Sequence, residues 1–264
     1  MSSRTVPIDV VVSFDFDAEE VWIGEDPSNA HKPGTLSQGT YGAKVAVPLL
    51  LDLLRRLDLP ASFFVPGRVA ERYPHRVEEI LAAGHEVGHH GYTHTSPAKL
   101  SRDEEETELV RGHEILTALG ADVVGYRSPS WDFSPATLDL LVAHGFRYSS
   151  NLMDDIRPYL HAGHDLVELP VHWTFDDAPH FWFDLRSWSK TVRTSGEVRV
   201  LWEEELEGMR RLGGLVMLTM HPQIIGRPGR IAMLEEFLTW ARSLEGVRFS
   251  TARAVADAFR SGTL

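Results

Sequence analysis

The sequence predicts an α/β fold in which a mostly parallel sheet curls into a (β/α) barrel. Short apolar runs rich in Val, Leu and Phe alternate with segments of helical periodicity, as parallel sheets require. A functional side chain follows strand after strand, whereas the opposite strand ends meet plain connections such as 58–60 and 120–122. No repeat, low-complexity tract or linker divides the 264 residues, so one domain is expected over 1–264.

The elements follow in order. Residues 8–14 form a Val-rich buried strand that runs into Asp15 and Asp17. Residues 18–40 are polar and punctuated by Gly and Pro; they read as a long irregular loop of the kind that often carries function. The periodicity of 41–57 predicts a helix with Val45, Val47, Leu49, Leu50, Leu53 and Leu54 on its apolar face, regular from Pro48 onward. Residues 61–65 form a second strand, 68–83 a helix interrupted at Pro74, and 86–88 a third strand. Ser101 and Glu104 have capping-box spacing, which starts a helix that Gly120 ends. A fourth strand at 123–126 leads into Arg127. A helix starts at Ser134-Pro135, and a fifth strand at 146–148 follows. Residues 166–171 are a sixth strand leading to His172, and 176–188 is aromatic-rich without a firm assignment. A charged helix spans 197–212, an apolar strand 215–220 runs into His221, and a helix, strand and helix close the chain at 229–244, 247–249 and 251–260.

Composition narrows the partners. The net charge of −12 argues against nucleic acid or an anionic membrane surface. With no cysteine, any metal must be held by His, Asp or Glu. The N-terminal residues lack a basic stretch followed by a long apolar one, so neither a signal peptide nor a membrane span is expected, and the expected location is cytoplasmic. The stretch 84–97 holds His85, His89, His90 and His94. His90 and His94, four apart, are spaced so that one helical turn or a tight loop puts both imidazoles on one side, where they serve one metal ion. That pair needs a third ligand to carry weight, and Asp15 and Asp17 lie at another strand end.

With these residues placed, the chain resembles the polysaccharide deacetylases of the NodB-homology type, carbohydrate esterase family 4, over about residues 8–250. The segment SFDFDAE resembles the family's first motif, which implies Asp15 as catalytic base and Asp17 as metal ligand. The segment HGYTH resembles the second, implying His90 and His94 as ligands. Arg127-Ser-Pro129 resembles the third, with Arg127 steadying the base, and His221 resembles the acid of the last motif. The fourth motif, usually Asp-Ser-Ser, reads Tyr148-Ser149-Ser150, and the third lacks a second proline. The segments YGAKVAVPLLLDLL, ELPVHWTFDD and HPQIIGRPGR are similar to a cytoplasmic branch linked to a peptidoglycan deacetylase and to allantoinase-like and cyclic-imide hydrolases. The resemblance implies a distorted (β/α) barrel and a homo-oligomer.

The chemistry is consistent with those roles. A divalent ion on three protein ligands leaves positions open for water and substrate and lowers the pKa of water. Zinc is expected, with nickel, cobalt or iron as alternatives. A carboxylate that does not bind the ion suits the base, a guanidinium holds it correctly turned, and a histidine suits the acid for the amine leaving group. Asp154 or Asp155 is expected to tune His221. Trp131, Trp173 and Tyr92 are candidate substrate contacts, with Phe175 and Phe181 as further candidate walls; His85, His89 and His172 are expected to be structural. The expected function is metal-dependent hydrolysis of a non-peptide amide, first the deacetylation of an N-acetylated amino sugar. The alternatives are opening of a small cyclic amide or imide, and a non-catalytic binding protein on the same scaffold.

Overall fold

The computed structural model describes residues 6–183 and 192–264. Nine strands form one sheet: β1 Ile8–Asp15, β2 Ser62–Val65, β3 Glu86–His89, β4 Gly125–Tyr126, β5 Tyr148–Ser149, β6 Tyr159–Leu160, β7 Val167–Glu168, β8 Leu215–Met220 and β9 Val247–Ser250. Their order is β6-β7-β5-β4-β3-β2-β1-β8, and β9 lies beside the first half of β1, below β2. All pairings are parallel except β6 with β7. The sheet curls into a half-barrel, the distorted (β/α) barrel expected from sequence.

All eight residues of β1 are buried because both faces are covered. The two-residue period of the strand sorts them. Val10, Val12 and Phe14 pack outward with Val47, Leu50, Leu53 and Leu54 of the helix Val47–Leu57. Val11 packs inward with Phe64, Tyr148, Val167 and Met217. The closing helix Ala252–Ser261 plugs the floor of this inner layer through Ala252, Val255 and Ala256. Two glycines make room inside the curl. A Cβ on Gly125 would lie 2.0 Å from the Tyr148 ring, and one on Gly88 would lie 2.7 Å from Phe64.

Several expectations change. Residues 18–40 are not irregular: Glu20–Ile23, Pro27–His31 and Pro33–Tyr41 are helical turns and helices. Pro27 and Pro33 start these elements rather than breaking them, since proline lacks only an N–H that has no partner at a helix start; Asp26 caps the first by accepting from Ser28 N. The helix expected from 41 is continuous with Pro33–Tyr41 through a π-turn at Gly42–Ala46. The wide turn accommodates Pro48, and Arg76 donates to the Ala43 carbonyl at 2.8 Å. The added residue rotates the preceding face, which leaves Val45 exposed, and Leu49 lies on the outer face of the helix. The strands expected at 123–126 and 166–171 shorten to β4 and β7, and β6 is too short for its period to show. The helix expected from Ser134 begins at Thr137; the Ser134 hydroxyl accepts from Ala136 N, and both the Ser134 and Thr137 hydroxyls donate to the Glu105 carboxylate. In the aromatic-rich stretch, Ala178–Phe181 is a helical turn; positions 184–188 lie outside the described residues.

Candidate active site

The inner-face parity decides which side chains meet. Ser13, Asp15 and Asp17 continue the inward set of β1, His90 that of β3, Arg127 that of β4 and Ser150 that of β5; His221 continues Met217 and Thr219 of β8. His89 has the opposite parity. It points outward and its Nε2 lies 3.0 Å from the Leu109 carbonyl, where burial pushes its pKa down to about 3.

A cavity of ≈ 400 Å³ opens at the carboxyl ends of the strands, with Asp15, Asp17, His90, His94 and His221 in its floor. His90 Nε2 and His94 Nε2 lie 3.3 and 3.6 Å from Asp17 Oδ1. His90 and His94 do not share a helix. Gly91 (φ +74°) and His94 (φ 59°) are both left-handed, and Glu108 pins the turn by accepting from Tyr92 N and Thr93 N at 3.1 and 2.7 Å. Ala18, Ser130 and Trp131 also have positive φ, so non-glycine backbone strain gathers around this cavity.

Asp17 is fully buried and neither carboxylate oxygen has a hydrogen-bond partner. Burial opposes its charge, but His94 and His90, with His221 beyond, hold its carboxyl down to about 2. Burial pushes His94 down to about 4, so its imidazole keeps a free lone pair at neutral pH. His90 Nδ1 lies 2.7 Å from the Arg127 carbonyl, which makes Nδ1 the protonated nitrogen and turns the lone pair of Nε2 toward Asp17. Ligand atoms of Asp17, His90 and His94 all lie within 4.8 Å of one another. Two orphaned carboxylate oxygens beside two imidazoles are a donor set that fits a divalent cation.

Beside them, Asp15 is held by Arg127. The fully buried guanidinium donates from Nη1 to Asp15 Oδ1 at 2.7 Å and to Ser13 Oγ at 2.9 Å, from Nη2 to Ser150 Oγ at 3.1 Å and from Nε to the Ser150 carbonyl at 3.3 Å. It also lies over the Phe64 ring. Across the cavity, His221 Nδ1 is 2.7 Å from Asp177 Oδ1, and Asp177 Oδ2 accepts from His221 N, which leaves Nε2 facing Asp17 at 3.8 Å. Burial works against the imidazolium, but Asp177 above all, then Asp176 and Asp17, raise its pKa well above the usual histidine value.

The acid beside His221 is therefore Asp177, not Asp154 or Asp155. Asp154 accepts from the Tyr159 hydroxyl, and Asp155 caps Ile156 N and Arg157 N. The pairing of Asp176 with Thr219 carries Asp177 to His221 across 44 residues. The Asp-Asp dipeptide after Phe175 was the available signal. Its neighbour Asp176 also lines the cavity, and burial pushes it up to about 7.

Trp131 and Trp173 line the wall with ring centroids 4.5 Å apart, and Trp182, stacked on Trp22, lines it too. Tyr92 does not. It packs under Arg111 and donates to Glu71 Oε2, outside the cavity, because the turn after His90 sends it to the outer layer. Phe175 and Phe181 belong to the core, and His172 is exposed beside Thr174. The segment 18–40 forms the roof, with Val21, Gly24 and Glu25 lining the cavity. Gly24 allows this approach: a Cβ there would lie 2.6 Å from the Thr93 and His94 carbonyls.

Fold and site together define a class of parallel half-barrels with a carboxylate–imidazole cluster at the strand ends. A polysaccharide deacetylase profile matches residues 38–149. A Helicobacter pylori peptidoglycan deacetylase is 31% identical over 95% of this chain and 95% of its own length. A crystal structure from Mycobacterium smegmatis, assigned to the polysaccharide deacetylases, superposes with a TM-score of 0.94 at 39% identity, covering 100% of this chain and 93% of that one. An allantoinase shares the fold, with a TM-score of 0.83 at 20% identity over 99% of this chain and 92% of that one. The chain belongs to the polysaccharide deacetylase family.

Proposed function

We propose that residues 1–264 act as one catalytic domain that hydrolyses a non-peptide amide bond with a divalent metal, and that its substrate is an N-acetylated amino sugar. The observation that carries this reading is the pair of buried, unpartnered Asp17 oxygens facing His90 and His94, with Asp15 and His221 on either side. Asp17, His90 and His94 would hold the ion; one carboxylate and two imidazoles suit zinc, and also nickel, cobalt or iron. When bound, such an ion supplies Lewis-acid polarisation of the acyl oxygen and acidification of water.

The remaining work falls to the chain. Asp15 takes the proton of the attacking water, and Arg127 fixes the direction of its free oxygen. His221, held protonated by Asp177, gives a proton to the departing amine. Trp131 and Trp173 bind the apolar face of the sugar ring. The peptidoglycan deacetylase relative supports the amino-sugar substrate. The roofed cavity favours a second reading, a small cyclic amide or imide, because Val21, Gly24 and Glu25 leave less room for a polymer. Among the described residues no helix is long and apolar enough to cross a membrane. Homo-oligomeric assembly and a cytoplasmic location are part of the same proposal.

The test compares acetate release from chitin oligosaccharides with ring opening of a cyclic imide, in metal-loaded and chelated protein. Metal-restored acetate release is the expected outcome. Imide opening without acetate release favours the second reading. A protein that binds metal and turns over neither overturns both.

A further inference from the structure

Lys99 is the only Lys or Arg among the described residues that line the cavity. The chain has only four lysines among its 26 Lys and Arg, so a lysine at this position is not a matter of abundance. No carboxylate among the described residues lies within ion-pair distance of Lys99, and it makes no side-chain hydrogen bond there. By contrast, Lys32 is bonded to Asn29, and Arg127 makes four hydrogen bonds. Of the acids that line the cavity, Asp15 is engaged by Arg127 and Asp176 by the Ala178 amide, and Asp17 faces His90 and His94.

The backbone under Lys99 is fixed. It ends the short turn Pro97–Lys99, whose Pro97 is buried, and its amide donates to the Ser96 carbonyl at 3.0 Å. Ser96 itself lines the cavity, and His94 lies five residues before Lys99, so ligand turn and lysine share one loop. Trp131 and Trp173 form an apolar wall of the cavity, and a charge beside such a low-dielectric wall is less screened than one on open surface.

We propose that Lys99 forms an anion subsite, and that the substrate is an amide bearing a carboxylate or phosphate a short distance from the scissile acyl group. This rests on the amide-hydrolase reading of the same cavity. A flexible ammonium suits such a group because it is a point charge that reaches carboxylate or phosphate without demanding one geometry. The tryptophan walls hold the ring while Lys99 selects for the substituent, so the lysine acts on specificity and not on the chemical step.

The test uses N-acetylglucosamine, its 6-phosphate and N-acetylmuramic acid, which differ in the anionic substituent. KM and kcat are measured for wild type, Lys99→Met and Lys99→Arg, and binding is followed in parallel by quenching of tryptophan fluorescence. Wild type is expected to prefer a charged sugar. In Lys99→Met the ratio of neutral to charged KM should fall about threefold to tenfold, with kcat for the charged sugar little altered and Lys99→Arg restoring the ratio. Preference for one anionic sugar over the other identifies the group as carboxylate or phosphate. A wild-type ratio near one, or a ratio that Lys99→Met leaves in place, overturns the subsite. Absence of acetate release from every sugar refutes deacetylation instead, and the binding ratio then decides the role of Lys99 on its own.

Discussion

Replacing Arg127 with Met removes the one cation that, among the described residues, faces Asp15 at hydrogen-bond distance, and both partners are buried. At 2.7 Å and an effective dielectric of about 20, their attraction is about 6 kcal/mol, and desolvation of the two charges offsets much of it. Removing one partner leaves the other charge buried and uncompensated, which costs about 3–5 kcal/mol. The Ser13 and Ser150 hydroxyls lose a donor as well. For a chain of this size the melting temperature should fall by roughly 10 °C. With its carboxylate no longer steered, the base should also lose about 100-fold in kcat/KM, the scale of a misplacement of about 1 Å. The double variant Asp15→Asn/Arg127→Met separates the two effects. It removes the stranded charge, so part of the stability should return while activity does not. Calorimetry and steady-state kinetics on refolding-competent protein read both quantities. Arg127→Met protein that melts within about 2 °C of wild type and keeps kcat/KM within about threefold would refute the argument.

Asp15→Asn should keep its metal by elemental analysis yet lose roughly 10²–10⁴ in rate, whereas Asp17→Asn should lose metal; the reverse pattern would exchange their roles. Asp177→Asn removes the main charge that raises His221, so the alkaline limb of kcat/KM should move to lower pH. The sign follows from the raised pKa: stabilisation from the His221–Asp177 pair is complete below the ordinary histidine value near 6.5 and is lost as pH rises through the elevated one. A limb that stays in place would mean that another group is the acid. Trp173→Ala, at a side chain 47% exposed, should leave the melting temperature near wild type and raise KM more than it lowers kcat.

Much of this was written into local pattern. The Val-rich run before Asp15, the Ser101–Glu104 capping box and the apolar strand before His221 each state their element, and the recurrence of His, Asp and Arg after strands marks one end of a barrel. The two-residue period of a strand even separates His90 from His89 once the inward face of β3 is known. The sequence alone could not say which distant acid meets His221: the Asp-Asp dipeptide after Phe175 is visible, but the bridge from Asp176 to Thr219 that brings Asp177 to His221, 44 residues on, is not. It misassigned Tyr92 for a related reason: the left-handed turn from Gly91 to His94 is set by Glu108 from another helix. The roof reads as an irregular loop because Gly and Pro punctuate 18–40, while in three dimensions Gly24 admits the carbonyls of Thr93 and His94 and Gly39 the backbone of Ala18. Periodicity records what each residue does relative to its neighbours in sequence. Which carboxylate neutralises which imidazole depends on the curl of the sheet, and only the folded chain brings those charges within reach.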